Sequence, residues 1–286
     1  MSTDAFNALA CPLDGNPLAP FGACWRCPSG HSFDVARQGY LHLLPVQKKR
    51  SLDPGDSKEM VAARQRFLNA GYYRPIAEVV NAAVLQSAAD EPRTLSGLDA
   101  GCGEGYYLRE LAAADTGAKL ALMGLDISKW ATLAAAKQDK RPRWVVGSNA
   151  NLPVLPGALD FVICLFGFPV HGEFARVLKR GGMLIEAHAG PSHLRELREI
   201  IYPSLKPEKL SAAEAPEDFS LVDAKTVCYP LTLDNPGAIA DLLAMTPHLY
   251  RASAEGRSRA EALTTLTVTV EVILRRFALP ESDAIY

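Results

Sequence analysis

The chain has 286 residues, 48% of them apolar and 22% charged, with a net charge of −2; that size supports one large domain with a small accessory one, in a globular composition. Near-neutral charge argues against wholesale coating of a polyanion, although residues 1–74 carry nine Lys/Arg against six Asp/Glu and residues 206–286 eight against twelve. The longest apolar run, FVICLFGFPV (161–170), falls well short of the roughly 20 residues a membrane helix needs, and MSTDAFNALA lacks the basic start of a secretory signal.

Residues 1–45 form a small, loop-rich module with strand-like pieces, SFDV and GYLHLL, too small to bury a core unaided. Its stretch CPLDGNPLAPFGACWRCPSGH (11–31) gathers three of the six cysteines and a histidine. The other cysteines, Cys102, Cys164 and Cys228, are dispersed; this is no disulfide framework, and it fits a reducing cytoplasm. A two-knuckle zinc pattern would place a cysteine at position 14, where Asp14 stands, while Cys24 is additional. Three readings follow. Cys24 joins Cys11, Cys27 and His31 in a Cys3His zinc site, the reading favoured here; Asp14 ligates through oxygen instead; or the metal is lost and the Asp14-Gly15 turn holds the module.

PVQKKRSLDPGDS (45–57) is a basic, turn-rich loop, and Asp56 or Ser57 can cap the helix that follows. Helical spacing then runs to about residue 88, giving a connecting segment over residues 46–93. From residue 94 the pattern alternates. LSGLDA (95–100), LALMGLDI (120–127), RWVVGS (143–148), LDFVICLF (159–166) and MLIEAH (183–188) read as strands, and YYLRELAAA, KWATLAAAKQ and FARVLKRGG as helices. This alternation predicts an α/β domain over 94–286 with a mostly parallel sheet. KTVCYPLTL (225–233) and TTLTVTVEVILRR (264–276) have period two and predict an antiparallel pair at one sheet edge.

LDAGCGEGYY (98–107) follows a strand and opens a helix, with Gly101, Gly103 and Gly105 in G-x-G-x-G spacing. Glycines there admit a ligand close to the backbone at a helix N-terminus. Asp126 ends the next strand, where a carboxylate can accept from both ribose hydroxyls. A dinucleotide motif would require glycine at 106, where Tyr106 stands, and Asp99 would repel a pyrophosphate. A ligand bearing a sulfonium and an ammonium would be attracted instead.

With SNANLP (148–153) as an adenine-side loop and the LKRGG turn, the domain resembles the Rossmann-like class I methyltransferases that use S-adenosylmethionine. On that resemblance Asp99, Gly101, Cys102, Gly103, Gly105, Tyr107, Asp126, Ile127, Ser148 and Asn149 hold the cofactor. The flanks narrow it further. CWRCPSGHSFDVARQGYLHLLP, KKRSLDPGDSKEMVAARQRFLNAGYYRP, GPSHLRELREIIY and CYPLTL…LLAMTP resemble signatures of the 23S ribosomal RNA guanine-N1 methyltransferases, which join an N-terminal zinc-ribbon-like, RNA-recognising module to a class I domain. The resemblance implies methylation of guanine N1 in a hairpin loop of 23S rRNA, and a homodimer. A methyltransferase for another RNA or a small molecule, or a non-catalytic ribosome-binding relative, are the alternatives.

Guanine N1 carries a proton, so a general base would help. Asp53 and Asp56, His171 after the fourth strand and His188 at the end of the fifth are the candidates. Phe166 and Phe168, after the fourth strand, could stack on the base. Lys48, Lys49, Arg50, Lys58, Arg64 and Arg66 form a basic set suited to RNA phosphates.

Overall fold

A computed structural model describes residues 6–48, 51, 53–89, 91–117, 119–205, 214–246, 248 and 252–281. The N-terminal module holds three short antiparallel strands, β1 (Ala19–Phe21), β2 (Cys24–Arg26) and β3 (Ser32–Asp34). Its fourth strand, β4 (Leu41–His42), leaves that ribbon and pairs in parallel with β7 (Arg143–Val146) at the edge of the main sheet.

The main sheet continues inward through β6 (Leu120–Asp126), β5 (Leu95–Ala100), β8 (Leu159–Leu165) and β9 (Leu178–Ala189), all parallel. Beyond β9 the hairpin of β11 (Leu266–Ala278) and β10 (Ser220–Leu233) is antiparallel, so the full order is β10-β11-β9-β8-β5-β6-β7-β4. The class I methyltransferase arrangement expected from the alternating pattern is therefore present. β9 starts at Leu178 rather than at 183: it runs through the Gly181–Gly182 turn, where its register against β8 shifts. The preceding helix is correspondingly short.

Each sheet face has its own core. On one lie α1 (Lys58–Asn69), α2 (Arg74–Ala89), α3 (Tyr106–Ala114), α4 (Lys129–Gln138), α6 (Arg195–Ile201), α7 (Pro236–Ala244) and α8 (Ala254–Glu261), which bury Phe67, Ile76, Leu111, Ala135, Leu197, Leu242 and Ala260. The other is covered by α5 (His171–Val177) and by the N-terminal module, whose Leu9, Trp25 and Leu41 pack with Leu98, Val145 and Phe174. Residues 147–158 form no helix between β7 and β8, and the N-terminal module takes that place on the sheet. Ala10 N–H donates to Pro153 O at 2.9 Å, Leu155 N–H to Ala8 O at 2.9 Å, and the Arg143 guanidinium lies 5.0 Å from the Trp25 ring centroid. These contacts fix the module against the β7–β8 connection and the first residue of β7.

α1 is capped by Ser57, whose hydroxyl accepts from Met60 N–H at 3.3 Å. Asp56, the other candidate for the cap, turns instead to Arg64. Ser128 caps α4 in the same way, accepting from Ala131 N–H.

Candidate active site

β5 ends at Ala100 and the chain turns into α3 through three glycines, all with positive φ (99°, 56° and 84°). They serve different ends. A Cβ on Gly101 would meet nothing within 4 Å, so the space above it is open to a ligand. One on Gly105 would lie 2.6 Å from Trp144 Cη2 and 2.9 Å from Ala135 Cβ. Gly105, expected among the cofactor residues, is thus a close-packing glycine that lets α3 approach β7 and α4. Cys102 is also turned inward: it is buried, and a Cβ on Gly124 would lie 3.1 Å from its Sγ.

Asp126, at the end of β6, holds the turn together by accepting from Gly103 N–H at 2.9 Å and Ser128 N–H at 2.7 Å. Burial pushes its carboxyl up while those two donors pull it down. Asp99 is 1% exposed and its Oδ2 has no partner; burial, then the Asp126 charge, push its pKa up to about 8. Asn149 donates to Ala100 O at 3.4 Å and to Phe168 O at 3.1 Å, which leaves its buried Oδ1 unpartnered, as is the Tyr107 hydroxyl. Three orphaned polar groups around an open glycine turn are costly unless a polar ligand meets them. The donor set fits S-adenosylmethionine: carboxylates for its cationic amine and sulfonium and for the ribose, an amide for the base. Ser148 serves its own turn, accepting from Ala150 N–H at 3.2 Å, and Ile127 is exposed beside the Asp126 carboxylate.

The loop over residues 53–57 lies across this end of the sheet. Asp53 accepts from Trp130 Nε1 at 2.6 Å, Ser128 Oγ donates to Asp56 O at 2.7 Å, and a Cβ on Gly55 would sit 2.9 Å from Ile127 Cγ2. A cavity of about 200 Å³ remains beneath it, bounded by His42, Leu44, Asp53, Pro54, Ile127 and Trp130. Asp53 and Asp56 therefore pack over Asp126–Ser128, and the Asp56 carboxylate, a candidate base in the sequence, is engaged by Arg64.

Two members of the basic set already hold carboxylates of the domain. Arg64 pairs with Asp56, donates to Met245 O at 3.0 Å and lies 3.7 Å from the Cβ position of Gly103. Arg66 forks onto Asp241 of α7, at 3.0 Å from Nε. Both guanidiniums join α1 to the rest of the domain. Lys49 and Arg50 lie outside the described residues, and Lys48 is described only in its backbone, in a short 3-10 helix.

His171 and His188 are brought together by a residue that sequence inspection missed. Glu186, buried on β9, accepts from His171 Nε2 at 2.8 Å and from His188 Nε2 at 3.1 Å, and the two histidines hold its carboxyl below the usual range despite burial. Glu186 and His188 share a strand face at spacing two, which was the available signal. Phe166 and Phe168 part company. Phe168 is 89% exposed, whereas Phe166, with φ +55° and 40% exposure, faces Tyr73, Tyr107 and His193 at centroid distances of 6.4, 6.5 and 6.2 Å.

In the N-terminal module the structure gathers Cys11, Asp14, Cys27 and His31, with one ligand atom from each within 4.8 Å of the others. His31 Nδ1 lies 3.5 Å from Cys11 Sγ, 3.4 Å from Cys27 Sγ and 3.2 Å from Asp14 Oδ2, which is 3.5 Å from Cys27 Sγ. Zinc bond lengths of about 2.3 Å to sulfur and 2.0–2.1 Å to nitrogen or oxygen give tetrahedral edges of about 3.3–3.4 Å between nitrogen and oxygen and about 3.5–3.6 Å from sulfur to either. The donors fit that ion. Cys24, expected as the fourth ligand, is not among them: its Sγ donates to Phe21 O at 3.1 Å. Trp25 and Cys27 point inward from the β2 ribbon, and Cys24, three residues before Cys27, faces the other way.

Profile comparison matches residues 9–52 to the zinc ribbon described as "RlmA, N-terminal" and residues 98–182 to a "Methyltransferase domain". Among curated relatives, the Streptomyces fradiae 23S rRNA (guanine(748)-N(1))-methyltransferase is 31% identical over 284 residues, 95% of this chain and 98% of that protein. YxjB of Bacillus subtilis (strain 168), provisionally named a 23S rRNA (guanine-N(1)-)-methyltransferase, is 32% identical over 275 residues, 93% of this chain and 95% of its own length. This chain belongs to the 23S rRNA (guanine-N1)-methyltransferase family. A third member, from Micromonospora griseorubida, is 36% identical over 215 residues, 69% of this chain and 70% of that protein. The family's two parts, zinc ribbon and methyltransferase domain, are the module and the sheet described above, and S-adenosylmethionine is the methyl donor such a domain uses.

Proposed function

We propose that this protein methylates N1 of a guanine in a hairpin loop of 23S rRNA. The observation that carries the reading is the joining, along one chain aligned almost end to end with named rRNA methyltransferases, of a methyl-donor site to a metal-stapled module docked beside it. A small acceptor needs no second surface; a folded RNA does.

The residues divide the work. Asp99, Asp126, Asn149, Ile127 and the open turn at Gly101 and Gly103 hold the cofactor, which supplies an electrophilic methyl group when bound. Phe166 offers its ring to the acceptor base beyond the end of β8, where ligands of open α/β sheets sit. The loop over residues 53–57 shields the nucleoside side from water, so that positioning and desolvation favour transfer. Cys11, Asp14, Cys27 and His31 hold a zinc ion that replaces the hydrophobic core this module is too small to build. Phe168, exposed at the rim, stacks on RNA.

The same reading makes the protein cytoplasmic, alongside its substrate; among the described residues no helix is long and apolar enough to cross a membrane. It also makes it a homodimer. The edge strand β10 supports this, since Leu221 and Val222 are exposed on it.

The test is methyl incorporation from labelled S-adenosylmethionine into unmodified 23S rRNA, with tRNA and free guanosine as competitors. Label on 23S rRNA alone is expected. Equal or exclusive labelling of tRNA or guanosine contradicts the proposal.

A further inference from the structure

Tyr73 lies in the turn between α1 and α2, at the end of the stretch RQRFLNAGYYRP, which by itself assigns it no role. It is almost fully buried, edge-on to Phe67 at 5.3 Å, and its hydroxyl is 3.4 Å from His193 Nε2. The other ring nitrogen of His193, Nδ1, accepts from Glu271 N–H at 3.2 Å. An imidazole whose Nδ1 accepts carries its single proton on Nε2 when neutral. Burial lowers the pKa of His193 to about 4, so the ring is neutral at working pH. His193 Nε2–H therefore donates to the Tyr73 oxygen, which leaves the Tyr73 O–H free to donate elsewhere. Burial also holds that phenol above its ordinary pKa, so it remains a donor.

The Tyr73 ring lies 6.4 Å from that of Phe166, and among the described residues Phe166 is the one aromatic with positive φ. Phe166 is one of two described non-glycine residues with positive φ, and this turns its half-exposed ring off the end of β8 towards Tyr73, His193 and Tyr107. Tyr107 belongs to both sites: its ring faces Phe166, and its buried hydroxyl, without a partner, lies within the electrostatic influence of Asp99. The aromatic cluster thus adjoins the methyl-donor pocket.

We propose that Tyr73 is a catalytic residue that donates its O–H to O6 of the acceptor guanine stacked on Phe166, and that His193 positions it. The inference rests on the guanine-N1 reading. As the N1–CH3 bond forms, the sulfonium S–C bond breaks and leaves a neutral thioether, while the N1 proton passes to water. Negative charge that builds on the N1–C6–O6 unit as that proton leaves falls on O6, where a fixed donor in a water-poor site is effective. The same donor disfavours adenine, whose N6 amino group would meet it donor to donor.

The test compares Tyr73→Phe, His193→Gln and His193→Ala in methylation of unmodified 23S rRNA, with cofactor affinity by calorimetry and melting temperature alongside. Removing one such donor costs about 100-fold in turnover. Tyr73→Phe is expected to lose about that much kcat, while KM for rRNA and cofactor affinity stay near wild type and the melting temperature falls by only the few degrees that the unpaired His193 Nε2–H costs. Glutamine can place an N–H where Nε2–H was, so His193→Gln is expected within about fivefold of wild type and His193→Ala close to Tyr73→Phe. Tyr73→Phe turning over within about threefold of wild type overturns the inference, as does equal activity of His193→Gln and His193→Ala. Absence of N1 methylation by the wild-type protein overturns the reading beneath it, and is told apart because no variant is then needed.

Discussion

His31 Nδ1 and Asp14 Oδ2 stand 3.2 Å apart in the N-terminal module, the separation of two donors on one tetrahedral zinc ion. A carboxylate thus occupies the knuckle position where a cysteine would be usual, and Cys24 takes no part. Cys24→Ser is expected to retain one zinc per chain by metal analysis, whereas Asp14→Ala loses most of it and melts at lower temperature. Asp14→Cys should bind zinc more tightly than wild type, since thiolate is the softer ligand. Zinc retained by Asp14→Ala and lost by Cys24→Ser would reverse the assignment.

Asp99 makes cofactor binding dependent on pH. Its carboxyl ionises near 3.8 in an ordinary setting and near 8 when buried beside Asp126. Between those values the folded state holds a proton that the unfolded chain has lost, so the empty protein loses stability as pH rises through that window. A cationic cofactor favours the ionised form. Affinity for S-adenosylmethionine is therefore expected to increase from pH 6 to pH 8, with proton release detectable by calorimetry in buffers of different ionisation enthalpy. Asp99→Asn should remove both the release and the pH dependence.

The two outer glycines of the turn separate binding from folding. Gly105→Ala forces a Cβ to within 2.6 Å of the Trp144 ring, at φ +84°. Overpacking and left-handed strain together cost about 2–4 kcal/mol, and a drop of several degrees in melting temperature is expected. Gly101→Ala meets no neighbouring atom; its main expected effect is loss of cofactor affinity, with a smaller loss of stability from its φ of +99°.

Arg64 and Arg66 lie two residues apart in α1 and predict different outcomes. Arg64 links Asp56, Met245 O and the flank of Gly103. Arg64→Leu should loosen the loop over the nucleoside side and weaken cofactor affinity about tenfold, the scale of one charge-assisted hydrogen bond. Arg66 sits in an exposed pair with Asp241, and such pairs contribute about 0–1 kcal/mol. Arg66→Ala should leave cofactor affinity unchanged and lower rRNA affinity less than twofold. A large loss of rRNA binding would return Arg66 to the phosphate-contacting set.

The sheet was legible in the sequence because its strands are short apolar runs separated by helical spacing. The glycine turn and the positions of Asp99 and Asp126 were legible because each stands at the end of a strand or in the turn that follows it. What resisted was whatever depends on side-chain direction. Cys24 lies three residues from Cys27 and Asp14 three residues from Cys11, so spacing does not choose between them; only the ribbon's alternation turns Cys24 away. Arg64 and Arg66 look like any surface basic run until α1 is laid against α7 and Asp56. Glu186 is an acidic residue in an apolar strand, explained once His171 and His188 close on it. Tyr73 and His193 are 120 residues apart and meet only through the fold.

The central claim concerns one atom of one base. A methyl group on guanine N1 blocks the Watson–Crick edge, so it stops reverse transcription and shifts the nucleoside mass together. Unmodified 23S rRNA treated with the protein and S-adenosylmethionine should show one new reverse-transcription stop at a loop guanine, with 1-methylguanosine in the matching digest fragment by mass spectrometry. A methyl group found on another atom, on another nucleotide type, or nowhere on that rRNA would contradict the account.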